Sequence, residues 1–156
     1  MNQKEIRYKL IKISRDMHRY AHDTIAPICT RHGITVQQLY VLMELQAQPN
    51  QSITQLSDRV GILHTNFPLV CRKLESAGYV GRSRSEVDRR SFILSLTFSG
   101  EHLVEMLDRE ISDNLFAGIG TGADEAYKDI VKGFESLEAL LRKSSMNYPR
   151  DTSHVR

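Results

Sequence analysis

The chain has 156 residues, of which 40% are hydrophobic and 26% are charged, and its formal net charge is +2. This length corresponds to roughly one domain, and the composition excludes a disordered or fibrous protein; no apolar run approaches the ~18–20 residues that span a bilayer, so no membrane partner is expected. The two cysteines, Cys29 and Cys71, lie far apart without a CxxC pair, which excludes a disulfide framework and favours a reducing, cytoplasmic location.

Charge is unevenly distributed along the chain. Residues 54–97 carry seven basic and four acidic side chains, whereas residues 98–145 carry five basic and ten acidic ones. An asymmetry of this kind suggests that the basic stretch faces a polyanion.

The first thirty residues predict one long amphipathic helix. Its apolar residues recur at spacings of three and four and therefore share one face: Ile6, Leu10, Ile13, Met17, Tyr20, Ala21, Ile25 and Ile28. Pro27 and Gly33 are expected to close the segment. The periodicity fits burial within the same chain and a dimer interface equally well.

Three shorter helices are predicted next. Thr35 opens the first of them, and Pro49-Asn50 stops it. Its inward residues are expected to be Leu39, Val41, Leu42 and Leu45. The residues from Ser52 to Gln55 form a capping box for the next helix, which ends at Gly61. The third of these helices is expected to run from about Asn66 to Ala77.

The hydrophobic period then changes from 3.6 to two, which predicts a β-hairpin. Residues 79–82 and 92–96 read as its two strands, and they flank a polar, charged loop at 83–91. The centre of the chain is therefore a helix-turn-helix followed by a two-stranded wing.

Two more helices are predicted after the wing. Thr97 can cap the first, which lines one face with Leu103, Leu107 and Ile111 and breaks at the glycine-rich segment 118–122. The last helix, with Thr121 as its expected cap, holds a second set of apolar residues: Tyr127, Ile130, Val131, Phe134, Leu137 and Leu141.

A helix-turn-helix can bind DNA because its first helix braces against the backbone while the second enters the major groove. On the wing, Asp88 stands two residues before Arg90 and can orient it for the narrow minor groove. Arg82, Arg84 and Arg89 on the same hairpin can meet phosphates. The alternative is a solvated turn with a surface ion pair worth ~0–1 kcal/mol.

Two motifs resemble a known family. The run DRRSFILSLTFSG at 88–100 is similar to the D-x-R-x-x-x-V-x-L-T-x-x-G signature of MarR-type transcriptional regulators. LESAGYVGR at 74–82 is similar to that family's L-E-x-x-G-hydrophobic-hydrophobic-x-R stretch. The resemblance implies a mainly α fold with a small β-hairpin, a winged helix-turn-helix that binds double-stranded DNA as a homodimer on a palindromic operator, and most often a ligand-responsive repressor.

The resemblance also implies how the chain is divided. A dimerisation helix is expected at 1–33, a DNA-binding region at 34–97, C-terminal dimerisation helices at 98–145 and a flexible tail at 146–156, all within one structural domain.

Site residues carried over by position lie on the wing and on the recognition helix. Arg90 takes the place of the wing-tip residue in the minor groove, and Asp88 that of the acid that holds it. Thr65, Asn66 and Arg72 fall on the recognition helix, where the Asn66 amide is suited to adenine.

The start of the recognition helix departs from the family pattern. Leu63 cannot cap a helix, and a helix beginning there would place Pro68 in its second turn at a cost of ~3 kcal/mol. We therefore predict that Thr65 caps the helix and that Pro68 is its third residue.

Members of the family that the chain resembles often bind small aromatic acids between the dimerisation helices and the DNA-binding region. The resemblance therefore implies a small aromatic or anionic effector as a partner. The candidate effector-binding residues are Arg15, Arg19, His22 and Tyr40. The alternative, which we favour, is that the arginines are solvated or pair with Asp16 and Asp23.

Other functions have weaker support. His18 and His22 stand four residues apart, but no Glu or Cys completes a metal site, so neither a metal nor a cofactor is predicted. Cys71 reads as a small core residue, and Cys29 lacks the position of the reactive cysteine in redox-sensing relatives. Phosphate loops, GxSxG and HExxH are absent from the sequence, so no enzyme is predicted. The alternatives are a protein-binding winged-helix module without DNA binding and a metal- or redox-responsive sensor.

Overall fold

A computed structural model describes residues 2–85, 91–116 and 124–147 of the chain. The elements in chain order are α1 (Gln3–Tyr20), a π-helical turn (Ala21–Ile25), α2 (Ala26–Arg31), α3 (Val36–Ala47), β1 (Gln51–Ser52), α4 (Ile53–Val60), α5 (Phe67–Ser76), β2 (Val80–Arg84), β3 (Phe92–Leu96), α6 (Phe98–Phe116) and α7 (Asp124–Asn147). Within these described ranges, seven α-helices and a small antiparallel sheet confirm the predicted fold class. Two compact units divide the chain, residues 1–115 and residues 116–156.

The N-terminal helical segment does not close at Pro27, contrary to the sequence prediction. The Ala26 amide donates to the Ala21 carbonyl across a wide π-helical turn, and Pro27 then falls at the start of α2, where a missing N–H is tolerated. Helical structure therefore continues to Arg31, and Gly33, with φ +72°, ends it as predicted.

The apolar stripe of α1 is largely exposed in the part of the chain that the structure describes. Ile6, Ile13 and Met17 are exposed by 38–51%, and α1 contains no buried residue. At the far end of the stripe, Ile28 is buried in the core and Ile25 packs against it. Among the described residues, the apolar face of α1 is therefore left largely exposed.

Helix α3 contributes its inward face to the core of the first unit. Thr35 and Gln38 form a reciprocal capping box that starts the helix: each backbone N–H donates to the other's side-chain oxygen, at 2.8 and 3.2 Å. All four residues expected to point inward are buried: Leu39, Val41, Leu42 and Leu45. They pack with Leu56, Leu74 and Leu94 from the following elements.

The sheet has one more strand than the sequence predicted. Its order is β1-β3-β2, both pairings are antiparallel, and Gln51 of β1 pairs with Leu94 of β3. The strand β2 also runs two residues further than expected, to Arg84, which pairs with Phe92. The added strand ties the wing to the segment that immediately precedes α4.

Helix α6 completes the core of the first unit. Leu103, Val104 and Leu107 are buried and Ile111 is partly buried, which confirms the predicted face. Near its C-terminal half, the Glu110 carboxylate accepts from Arg31 and contacts His32 Nε2 at 2.9 Å. The glycine-rich break and Thr121 lie outside the described residues.

Helix α7 belongs to the second unit and is amphipathic. Its large exposed apolar residues are Ile130, Val131, Phe134, Leu140 and Leu141. Val131, Phe134 and Leu141 line a shallow surface depression together with Glu135 and Glu138. Among the described residues, no helix combines the length and apolar character needed to cross a bilayer.

Candidate nucleic-acid interface

Helix α4 begins and ends as the sequence predicts. The Ser52 hydroxyl accepts from the Gln55 backbone N–H at 3.3 Å, and the Gln55 side chain accepts from the Ser52 N–H at 3.0 Å. At the other end Gly61 has φ +68° and turns the chain towards α5. These local signals set the geometry of the helix-turn-helix.

Helix α5 begins later than predicted. Its first residue is Phe67 and Pro68 is its second, and Asn66 occupies the cap position without a side-chain cap bond. The carbonyl of Leu63 accepts from the backbone amides of both Asn66 and Phe67, at 2.9 and 3.0 Å, so backbone bonds close this turn. The prediction that Thr65 caps the helix is therefore wrong.

The cause of this later start is the burial of Phe67. Its ring is fully buried in the core, which fixes the register of the first turn, and Pro68 then stands where no N–H is needed. Thr65 and Asn66 are exposed in the turn ahead of the helix instead of on the helix itself.

Helix α5 has one buried face and one outward face. The buried residues are Phe67, Val70, Cys71 and Leu74. Leu69, Arg72 and Ser76 lie on the opposite side and are exposed, flanked by Lys73. Arg72 thus lies on α5, the helix to which the sequence assigned it, and its side chain is exposed.

A histidine that sequence reasoning did not select ties α4 to the turn ahead of α5. The ring nitrogen Nδ1 of His64 lies 2.8 Å from the Ser57 hydroxyl, and Nε2 lies 3.2 Å from Asp58 Oδ1. Ser57 is buried, and its hydroxyl also donates to the Thr54 carbonyl at 3.0 Å. The spacing of seven residues between Ser57 and His64 crosses a glycine turn, so no helical period could reveal it.

The base of the wing places two arginines against one aromatic ring. The guanidinium carbon of Arg82 lies 4.0 Å from the centroid of the Phe92 ring, and that of Arg84 lies 5.6 Å from it. Both arginines are exposed on the strand β2. The other wing residues singled out from the sequence, Asp88, Arg89 and Arg90, lie outside the described residues.

The threonine and glycine of the family signature fasten the wing to α6. The Thr97 hydroxyl donates to the Gly78 carbonyl at 2.6 Å and accepts from the Gly100 N–H at 3.1 Å. The Thr97 amide donates to the Tyr79 carbonyl at 3.0 Å. A Cβ on Gly100 would lie 2.0 Å from that carbonyl oxygen, so only glycine allows this close approach.

The buried thiol of Cys71 on α5 has a pKa that depends on burial and on nearby charges, including that of Arg82 on the wing. Burial, aided by the nearby charge of Glu75, raises the pKa of Cys71 to about 11, and the positive charge of Arg82 acts in the opposite direction. Burial also raises the pKa of Cys29. Cys71 is a buried core residue, as predicted.

The four candidate effector residues lie on α1, the π-helical turn and α3. Arg15 and Arg19 both contact the Asp16 carboxylate, at 3.6 and 3.3 Å. A hydrogen bond from Lys12, aided by the charges of Arg15 and Arg19, lowers the pKa of Asp16. His22 Nδ1 lies 2.8 Å from Asp23, and Tyr40 is exposed on α3. These partners, Asp16 and Asp23, are the ones expected from the sequence if the site binds no effector.

Comparison with known proteins gives the same family as the sequence motifs. The profile of the MarR family matches residues 34–92. An HTH-type transcriptional regulator of Bacillus subtilis, YfiV, is 33% identical over 111 residues, which cover 71% of this chain and 69% of that protein. The regulator SarZ of Staphylococcus haemolyticus is 30% identical over 95 residues, or 61% of this chain, and the match spans 64% of its length.

A solved structure extends the likeness to the fold. The transcriptional repressor CouR, solved with a 23-mer DNA duplex, superposes with a TM-score of 0.64 at 27% identity, over 80% of this chain and 89% of CouR. Taken together with the winged helix-turn-helix described above, these matches show that the chain belongs to the MarR family of transcriptional regulators.

Proposed function

We propose that this chain is a sequence-specific DNA-binding transcriptional regulator that acts as a homodimer on a palindromic operator. The observation that carries the proposal is the outward face of α5, where Arg72 and Lys73 are exposed, next to a strand that presents Arg82 and Arg84. Cations on a helix and on the adjoining strand suit the major groove and its flanking phosphates.

The comparison with CouR supports DNA as the partner, because that repressor was solved on a duplex. By position, Thr65, Asn66 and Arg72 would meet base edges or nearby phosphates. Arg82 and Arg84 would meet phosphates at the edge of the site, together with Arg89. We expect the protein to act in the cytoplasm.

The wing tip is the second part of the proposed interface. Arg90 would enter the minor groove, held by Asp88. We expect Arg90→Ala to weaken binding to the operator by about tenfold or more, since a good DNA contact is worth ~1–3 kcal/mol. Unchanged affinity of the folded variant would remove the wing tip from the interface.

The homodimer is supported by apolar surface that each unit leaves uncovered. Ile6, Ile13 and Met17 are exposed along α1, and Val131 and Phe134 are exposed along α7. Exposed apolar stripes on helices mark contact surfaces. A second copy of the chain could cover the stripe on α1 and the stripe on α7. Light scattering at micromolar concentration should give twice the chain mass, and a stable monomer would contradict the dimer.

We also propose that an anionic or aromatic effector relieves repression. Because Arg15 and Arg19 both contact the Asp16 carboxylate, an effector carboxylate would have to displace Asp16 from them. An effector shifts the dimer only by its different affinity for the DNA-binding and non-binding states. Benzoate should release bound operator DNA from the wild-type protein but not from Arg15→Ala. If both proteins respond to benzoate in the same way, effector binding at Arg15 is excluded.

Selection from a random duplex pool tests the proposal as a whole. The wild-type chain should enrich palindromic duplexes with half-sites about one helical turn (~34–36 Å) apart. Arg72→Ala should bind the enriched duplex more weakly, while Lys128→Ala on α7 should bind it as the wild type does. Enrichment of no sequence would leave the protein-binding module as the better account.

A further inference from the structure

An exposed leucine stands on the outward face of α5. Leu69 is 55% exposed, and it precedes Arg72 by three residues and Lys73 by four. Those spacings make the three side chains neighbours on one surface of the helix. Leu69 points away from the core because the buried side of α5 is already formed by Phe67, Val70, Cys71 and Leu74.

The surroundings of Leu69 indicate what covers it. Two cations flank it, which suits a polyanionic partner and disfavours an apolar protein surface. Leu69 is the third residue of α5, and the N-terminal residues of a helix that enters the major groove meet the edges of base pairs. The apolar group that base pairs present in this groove is the C5-methyl group of thymine.

We propose that Leu69 reads a thymine methyl group in each half-site of the operator. The inference rests on the proposed DNA-binding function and specifies part of the sequence that the site recognises. Arg72, one turn further along α5, holds the register of the helix by contact with a neighbouring base or phosphate. Leu69 is thus a specificity-determining residue, and the operator carries a thymine at the position it contacts.

Replacing thymine by deoxyuracil provides the test, because it removes the methyl group and leaves the hydrogen-bonding edge intact. The probe is a duplex enriched by the wild-type protein from a random pool, with each thymine replaced in turn. Fluorescence anisotropy at one salt concentration gives the Kd. At one thymine per half-site, the wild-type Kd should rise about fourfold, which is the effect of one buried methyl-sized group.

Two variants assign that effect to Leu69. Leu69→Ala should bind the thymine duplex more weakly than wild type and should lose nothing further on the deoxyuracil duplex. Leu63→Ala, which truncates an exposed leucine in the turn ahead of α5, is the matched control and should keep the full fourfold effect. Circular dichroism and light scattering establish that both variants are folded and have the same mass.

Distinct results would overturn the inference. Equal affinity for thymine and deoxyuracil duplexes at every position would exclude methyl readout, and a full deoxyuracil effect in Leu69→Ala would assign it to another residue. A change of mass in Leu69→Ala would place this leucine in a protein interface. Failure of the wild type to enrich any duplex would overturn the proposed function and this inference together, whereas enriched duplexes insensitive to the methyl group overturn the inference alone.

Discussion

The ring of His64 and the hydroxyl of Ser57 lie 2.8 Å apart, and this contact joins α4 to the turn that precedes α5. The Ser57 hydroxyl donates its proton to the Thr54 carbonyl, so it accepts from His64 Nδ1–H. Asp58 lies 3.2 Å from the other ring nitrogen. The turn that carries Thr65 and Asn66 is therefore held against α4 by a side chain as well as by its own backbone bonds.

We expect His64→Ala to weaken operator binding about fivefold, because one hydrogen bond of ~1 kcal/mol no longer restrains the turn. Anisotropy titration measures the change. His64→Asn is the matched control, since its amide nitrogen stands near the position of Nδ1 and can still donate to Ser57. If His64→Ala binds as tightly as wild type, the contact has no part in positioning the turn.

Substituting alanine for glycine should have opposite effects on stability at Gly100, which approaches Tyr79 closely, and at Gly133, which has no close neighbour among the described residues. Gly100→Ala should lower the free energy of unfolding by roughly 1–3 kcal/mol, because its Cβ would meet the Tyr79 carbonyl at 2.0 Å. Gly133→Ala on α7 should raise helix stability by about 1 kcal/mol, because its Cβ meets nothing within 4 Å. Urea denaturation measures both, and a stable Gly100→Ala would show that α6 can move away from Tyr79 without cost.

Glu110 predicts a loss of stability in acid. A hydrogen bond from Arg31, and a weaker effect of one from His32, lower the pKa of Glu110 below its usual value of 4.5. The stability that ionised Glu110 contributes is therefore present above pH 4.5 and is lost as the pH falls through the folded-state pKa. Glu110→Gln should be less stable than wild type near neutral pH, and the difference should shrink as the pH falls below 4.5. Glu101→Gln, exposed on the same helix, is the control. A difference that is independent of pH would mean that the Glu110 charge does not stabilise the fold.

The two thiols are expected to be unreactive in the folded protein. Burial raises the pKa of Cys29 and raises that of Cys71 to about 11, so both remain thiols at neutral pH. The folded protein favours the neutral thiols, so it loses stability only when the pH rises above about 9 and the thiols of the unfolded chain ionise. Iodoacetamide near neutral pH should label the native chain slowly and the denatured chain fully. Rapid native labelling of either cysteine would revive the redox-sensor alternative.

Local signals explain why much of the fold was predictable from the sequence. The helix start at Thr35, the capping box at Ser52 and the left-handed Gly61 depend on residues close together in the sequence. The inward face of α3 followed from its helical period. These features involve no distant part of the chain, and the structure contains all of them.

The errors occurred where distant contacts decide the local structure. The strand β1 has two residues, too few for an alternating pattern, and exists because Gln51 pairs with Leu94. Pro27 read as a stop because a π-helical turn has no sequence period of its own. The start of α5 is set by the burial of Phe67, and the stacking of Arg82 on Phe92 depends on the strand register.

Salt-dependent binding of the enriched duplex is the most direct test of the central claim that cations on α5 and the wing bind DNA. Between about 50 and 200 mM salt, the logarithm of affinity should fall steeply and linearly with the logarithm of salt concentration. Arg82→Ala should reduce that slope by about one, as expected for a lost phosphate contact. An affinity independent of salt, or equal affinity for the enriched duplex and a scrambled duplex of the same length, would contradict sequence-specific DNA binding.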